Sequence, residues 1–96
     1  MVERTLLIKA PLGLHARAAA KLVRVVNGFE SSVTLRRVDG SLAADAKSIL
    51  DVLMLAASRG TNLQVSVEGE DEDRAIVAIE ELFAAGFGEL APESTL

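Results

Sequence analysis

Apolar residues recur along this chain with two periods, one of strands and one of helices, and the alternation between them divides the sequence into elements. Leu6 and Ile8 face one way and Thr5, Leu7 and Lys9 the other, which predicts a strand over Thr5–Ala10 that Pro11 and Gly13 interrupt. From Ala16 to Asn27 the spacing turns helical. At about 100° per residue, Ala19, Leu22, Val23 and Val26 share one face and Arg17, Lys21 and Arg24 the opposite one. Gly28 is the natural stop. Val33 and Leu35 alternate with Thr34 and Arg36 in a run that continues to Val38. Asp39-Gly40 is a tight-turn dipeptide, and Ser41–Ala44 returns as the second arm of a hairpin. Ser48 and Asp51 form a capping-box pattern that opens a helix running to about Ala57, before Gly60. Leu63, Val65 and Val67 alternate with Gln64, Ser66 and Glu68 as a half-buried strand. Asp71–Ala85 is a last helix, with acidic residues crowded into its first turn and Gly86 after its end.

The order β-α-β-β-α-β-α, with strands amphipathic on one face, predicts an α+β two-layer domain whose helices cover one side of an antiparallel sheet. Residues 1–88 are expected to form it. From Gly86 to Leu96 the chain turns to Gly, Pro and acidic residues and reads as a tail, flexible over 89–96.

Composition removes several kinds of chemistry. The 96 residues contain no Cys and one His, which excludes disulfides, zinc-thiolate and iron–sulfur sites, and a multi-histidine metal site in one chain. No metal or other cofactor is expected. Three Phe with no Trp or Tyr leave little to stack on bases, so no nucleic-acid partner is expected either. No apolar run approaches about 18 residues, and the start lacks a secretory pattern, so neither membrane insertion nor export is expected; a cytoplasmic setting fits. The net charge of −4 conceals a division. Residues 1–48 carry eight basic and four acidic side chains, and residues 49–96 two basic and ten acidic.

The single His lies in Gly13-Leu14-His15-Ala16-Arg17, where a Gly-containing loop enters the first helix. Free backbone N–H groups and the positive end of the helix dipole favour an anion there, and the same field favours a neutral, nucleophilic imidazole. Arg17 supplies a fork of donors for phosphate oxygens. The arrangement suits a His that attacks phosphorus; it equally describes an ordinary surface or capping His. The middle helix is the second anomaly. Eight of the nine residues Ile49–Ala57 are apolar, Ile49, Val52, Leu55 and Ala56 on one arc and Leu50, Leu53, Met54 and Ala57 on the other. One sheet cannot bury both arcs, so the second is either covered by neighbouring helices or exposed as a partner site. Ser48 serves as an N-cap or as a modification site.

Two segments together carry a resemblance. Gly13-Leu14-His15-Ala16-Arg17-Ala18-Ala19-Ala20 resembles the active-site signature, and Lys47-Ser48-Ile49-Leu50-Asp51-Val52-Leu53-Met54-Leu55 the regulatory-serine segment, of the histidine-containing phosphocarrier (HPr) family of the bacterial phosphoenolpyruvate-dependent phosphotransferase system. The resemblance spans residues 3 to about 88 and implies an open-faced β-sandwich, a four-stranded antiparallel sheet with three helices on one face. It implies that His15 takes a phosphoryl group on Nδ1 from phospho-Enzyme I and hands it to an EIIA-type acceptor, as a carrier and not an enzyme. Arg17 would stabilise the group in transit. Ser48 would be the target of an HPr kinase/phosphorylase, and Leu50, Leu53 and Met54, with Ala20 and Arg24, would form the docking surface of a monomer. Ala18 stands where many members have Pro, Asp51 sets a carboxylate one turn from Ser48, and the hairpin is slightly lengthened. Other readings are a carrier of the nitrogen-related branch, a mainly regulatory module read through Ser48, and a ferredoxin-like sensing or RNA-binding domain.

Overall fold

The structure, a computed structural model, describes residues 1–89, so the tail expected over 89–96 lies outside the described residues except for Glu89. The elements form in the predicted order: β1 (Val2–Leu7), α1 (Ala16–Val26), β2 (Ser32–Arg37), β3 (Ala43–Asp45), α2 (Ile49–Met54), β4 (Asn62–Glu68) and α3 (Glu72–Ala84). The strands make one antiparallel sheet in the order β1-β4-β2-β3. β4 is central, with Leu6 opposite Leu63 on one side, and Leu35 opposite Val65 and Val33 opposite Val67 on the other. Because side chains alternate across a strand, these residues all turn to the face that the three helices cover. Gln64, Ser66, Thr34 and Arg36 point to the open face. Ile8, Leu22, Leu35, Leu63, Ile79, Phe83 and Phe87 are among the fully buried side chains, each worth about 1.5–3 kcal/mol on burial.

Several boundaries differ from the sequence reading: β1 ends at Leu7 instead of Ala10 and β2 at Arg37 instead of Val38, where the chain leaves the sheet for its loops. β1 begins at Val2 instead of Thr5, because an edge strand tolerates the charges of Glu3 and Arg4, and Arg4 Nε meets Glu80 of α3 at 3.4 Å. The Asp39-Gly40 turn is wider than a two-residue loop. The Asp39 carboxylate accepts from the Ser41 amide and hydroxyl, Arg37 N–H donates to Leu42 O, and the return strand begins only at Ala43. α2 stops at Met54 instead of about Ala57, since Ala56 takes a left-handed φ of 50° and turns Ala57 inward. Beyond α3, Gly86–Gly88 forms a further 3₁₀ turn with Phe87 fully buried, where the composition had suggested tail.

α3 shows where its acidic first turn is used. Asp71, at the N-cap position, makes no capping bond; its carboxylate reaches across to the segment after α1. It accepts from the buried Ser31 hydroxyl and from the amides of Glu30 and Ser31 at 2.9 and 3.0 Å. These donors, the Ser31 hydroxyl foremost, hold its pKa at about 2 against an ordinary 3.8. Gly69, at φ 156°, completes the clamp, because a Cβ there would fall 2.6 Å from Ser31 Cα.

Candidate functional site

The loop before α1 is shaped by one close approach. Gly13, at φ 68°, passes so near the end of the α2 segment that a Cβ would lie 2.4 Å from Ala57 O and 2.8 Å from Ser58 Cα. Gly13 N–H donates to Ala10 O at 2.9 Å, and Leu14 N–H donates to Ala57 O at 2.8 Å. Leu14 is thereby buried, and His15 emerges as the N-cap of α1 with extended backbone, φ −77° and ψ −177°. The first in-helix bond comes from Ala19 N–H to His15 O at 2.8 Å, so the amides of Ala16, Arg17 and Ala18 precede the ladder.

Two contacts fix the chemistry of the ring. Arg17 N–H donates to His15 Nδ1 at 3.4 Å, and His15 Nε2 lies 2.7 Å from Glu89 Oε1. A carboxylate accepts and an amide donates, so both contacts assign the proton to Nε2 and the lone pair to Nδ1. Sequence reasoning missed Glu89 because it stands in a Gly- and Pro-containing acidic stretch, 74 residues from His15. The available signal was Phe87, a large apolar residue between two glycines, which is out of place in a solvated tail. Gly86, Phe87 and Gly88 take φ of 59°, 55° and 76°, a left-handed turn. It is secured by Phe87 packing on Phe83, ring centroids 4.9 Å apart, and by Lys21 Nζ donating to Phe87 O at 2.8 Å. Lys21, placed on the solvated face of α1 by the periodicity, is therefore half-buried and structural.

Arg17 and Arg24 remain exposed on α1, while Ala20 is half-buried. A cavity of about 290 Å³ is lined by Pro11, Leu12, Arg17, Lys21, Gly88 and Glu89. No group of three or more potential metal ligands occurs among the described residues.

Ser48 caps α2, its Oγ accepting from Asp51 N–H at 3.4 Å. The Asp51 carboxylate does not return to the Ser48 amide as in a reciprocal capping box. It accepts from Asp45 N–H at 3.2 Å, while Ser48 N–H donates to Asp45 O. On α2 the two apolar arcs separate differently from the helical projection. Leu50 and Met54 are 70% and 75% exposed, but Ile49 joins them and Leu53 packs half-buried against the core. Ala56 is exposed and Ala57 buried, because the left-handed Ala56 ends the helical projection before them. α1 and α2 pack together, and Met54 also borders a cavity with Leu42, Ala43, Asp51 and Leu55.

The model of the family described as PTS HPr component phosphorylation site matches residues 2–85. The chain is 46% identical to the phosphocarrier protein HPr of Xylella fastidiosa strain 9a5c over 89 residues, 93% of this chain and 98% of that protein. It is 45% identical to the phosphocarrier protein NPr of Proteus mirabilis over 86 residues, 90% and 94% of the two chains. Its fold is similar to the crystal structure of HPr-C-His from Thermoanaerobacter tengcongensis, with a TM-score of 0.88 at 37% identity over 95% of this chain and 100% of that one. The chain belongs to the HPr family of phosphotransferase-system phosphocarriers.

Proposed function

We infer that His15 accepts a phosphoryl group on Nδ1 from phosphorylated Enzyme I and passes it to acceptors of the EIIA type. The chain is a stoichiometric carrier in a cytoplasmic cascade. The observation that carries this reading is the ring itself: a histidine at the head of an 11-residue helix, its Nδ1 lone pair turned toward the helix amides and Arg17 beside it. In the transfer the lone pair forms the bond to phosphorus, and the donor's bond to phosphorus breaks with its electron pair staying on the donor. The dipole, the leading amides and the Arg17 guanidinium act on the phosphoryl oxygens as negative charge gathers there. The exposed Leu50 and Met54, with Leu53, Ala20 and Arg24, form the docking surface, and the basic side chains speed encounter with an acidic partner.

Incubation with Enzyme I and phosphoenolpyruvate is expected to give an acid-labile, base-stable adduct, and His15→Ala to abolish it. An adduct that survives this substitution overturns the assignment.

A second reading has its own support, because the NPr of Proteus mirabilis is as similar to this chain as an HPr is. Transfer from the phosphorylated chain to a sugar-type against a nitrogen-type EIIA domain separates the branches. Ser48 is assigned to regulation by an HPr kinase/phosphorylase. The dipole of α2 favours a phosphate there and the Asp51 carboxylate opposes it.

A further inference from the structure

Glu89 is built into the His15 site at a local energetic cost. The turn that carries it holds Phe87 in a left-handed conformation, and Glu89 Oε2 is buried without a hydrogen-bond partner among the described residues. A buried carboxylate that satisfies one oxygen on a single imidazole nitrogen is a counter-charge waiting for a cation. Among the described residues, the charged groups lining the cavity that Glu89 shares are Arg17 and Lys21 of α1, and Glu89 itself pairs with His15. Lys21 Nζ donates to Phe87 O at 2.8 Å, and among the described residues the ion-pair partner of Glu89 is His15.

We propose that Glu89 is a positioning residue for phosphoryl transfer, holding the proton on Nε2 of His15 in both the resting and the phosphorylated states. This deepens the reading of His15 as the acceptor and rests on it. In the resting state the held proton leaves Nδ1 as the sole nucleophilic nitrogen. When Nδ1 bonds to phosphorus, the ring keeps its Nε2 proton and becomes cationic, and the carboxylate at 2.7 Å pairs with that new charge. In the onward step a nucleophile of the acceptor bonds to phosphorus as the N–P bond breaks, its electron pair returning to Nδ1. The ring then departs as neutral imidazole, because the Nε2 proton never left. Without that proton it would depart as imidazolate, a far poorer leaving group. Glu89 therefore serves both the loading and the unloading of the carrier.

The test uses the full chain and needs no protein partner. Nitrogen-15 NMR of labelled His15 reads the tautomer ratio, and phosphoramidate serves as a small phosphoryl donor, with phosphorus NMR locating the adduct. The wild type is expected to show the Nε2–H tautomer and an adduct on Nδ1 alone. Glu89→Ala is expected to lower the Nε2–H to Nδ1–H ratio about tenfold, to admit an Nε2 adduct and to slow formation of the Nδ1 adduct about tenfold. Glu89→Gln keeps an acceptor oxygen without the charge, so it should restore the tautomer but not the rate. An unchanged tautomer ratio in Glu89→Ala overturns the positioning role, and a wild-type rate in Glu89→Gln overturns the counter-charge. If wild-type His15 takes no phosphoryl group from phosphoramidate or from Enzyme I, the carrier reading fails instead, and the tautomer ratio still decides whether Glu89 holds the proton.

Discussion

His15 and Ser48 occupy the same place on two helices. Each is an N-cap with extended backbone, and each accepts one backbone N–H at 3.4 Å, from Arg17 and Asp51 respectively. What surrounds them differs. At the head of α1 an anion would meet Arg17 and the dipole of three turns of helix, with the Glu89 carboxylate on the far ring nitrogen. At the head of the six-residue α2 it meets the carboxylate of Asp51, which is already bonded to the Asp45 amide. Helix polarity is common to both positions; the charges in the first turn are not, with no acidic residue in that of α1 and Asp51 in that of α2.

That contrast can be broken at several points. Removing the cation at the first site should have the largest effect: Arg17→Ala is expected to slow phosphoryl transfer about 10–100-fold with little change in melting temperature, as loss of charge-assisted bonds would. A wild-type rate would show that Arg17 does not distinguish the two sites. Gly13→Ala should disturb the placement of His15 while leaving Ser48 capped. With its left-handed φ and a 2.4 Å clash, destabilisation of more than about 2 kcal/mol is expected in denaturant titration. Asp51→Asn should bring Ser48 closer to His15 in character, raising phosphorylation of Ser48 by the kinase about three- to tenfold; no rise would mean that Asp51 does not guard it. The smallest effect is that of Ser48→Ala, about 0.5–1 kcal/mol in a thermal melt for a lost cap, toward the low end because the bond is long.

Most of the architecture was legible in the sequence because it rests on local periodicity. The alternation in 63–68 and the helical spacing of Ala19, Leu22 and Val26 are properties of neighbouring residues, and the structure buries the residues they indicate. His15 and Arg17 were legible for the same reason, being two residues apart. Glu89, the link from Lys21 to Phe87 O, and the approach of Gly13 to Ala57 were not, since each joins positions far apart whose own neighbourhoods say nothing of the other. The arcs of α2 failed for a related reason: the helical projection assumes a helix long enough to hold its phase, and Ala56 ends it.

The turn that presents Glu89 ties His15 to the order in which the domain is made. His15 can cap α1 as soon as the first helix exists, but its carboxylate arrives only when Phe87 docks against Phe83, across a separation of 74 residues. Non-local closures of this kind come late, because chain entropy must be overcome before the contact rewards it. The Nε2 contact is therefore a mark of completed folding: a molecule that has formed its helix but not yet closed its last turn already displays the histidine, without the proton fixed on its far nitrogen.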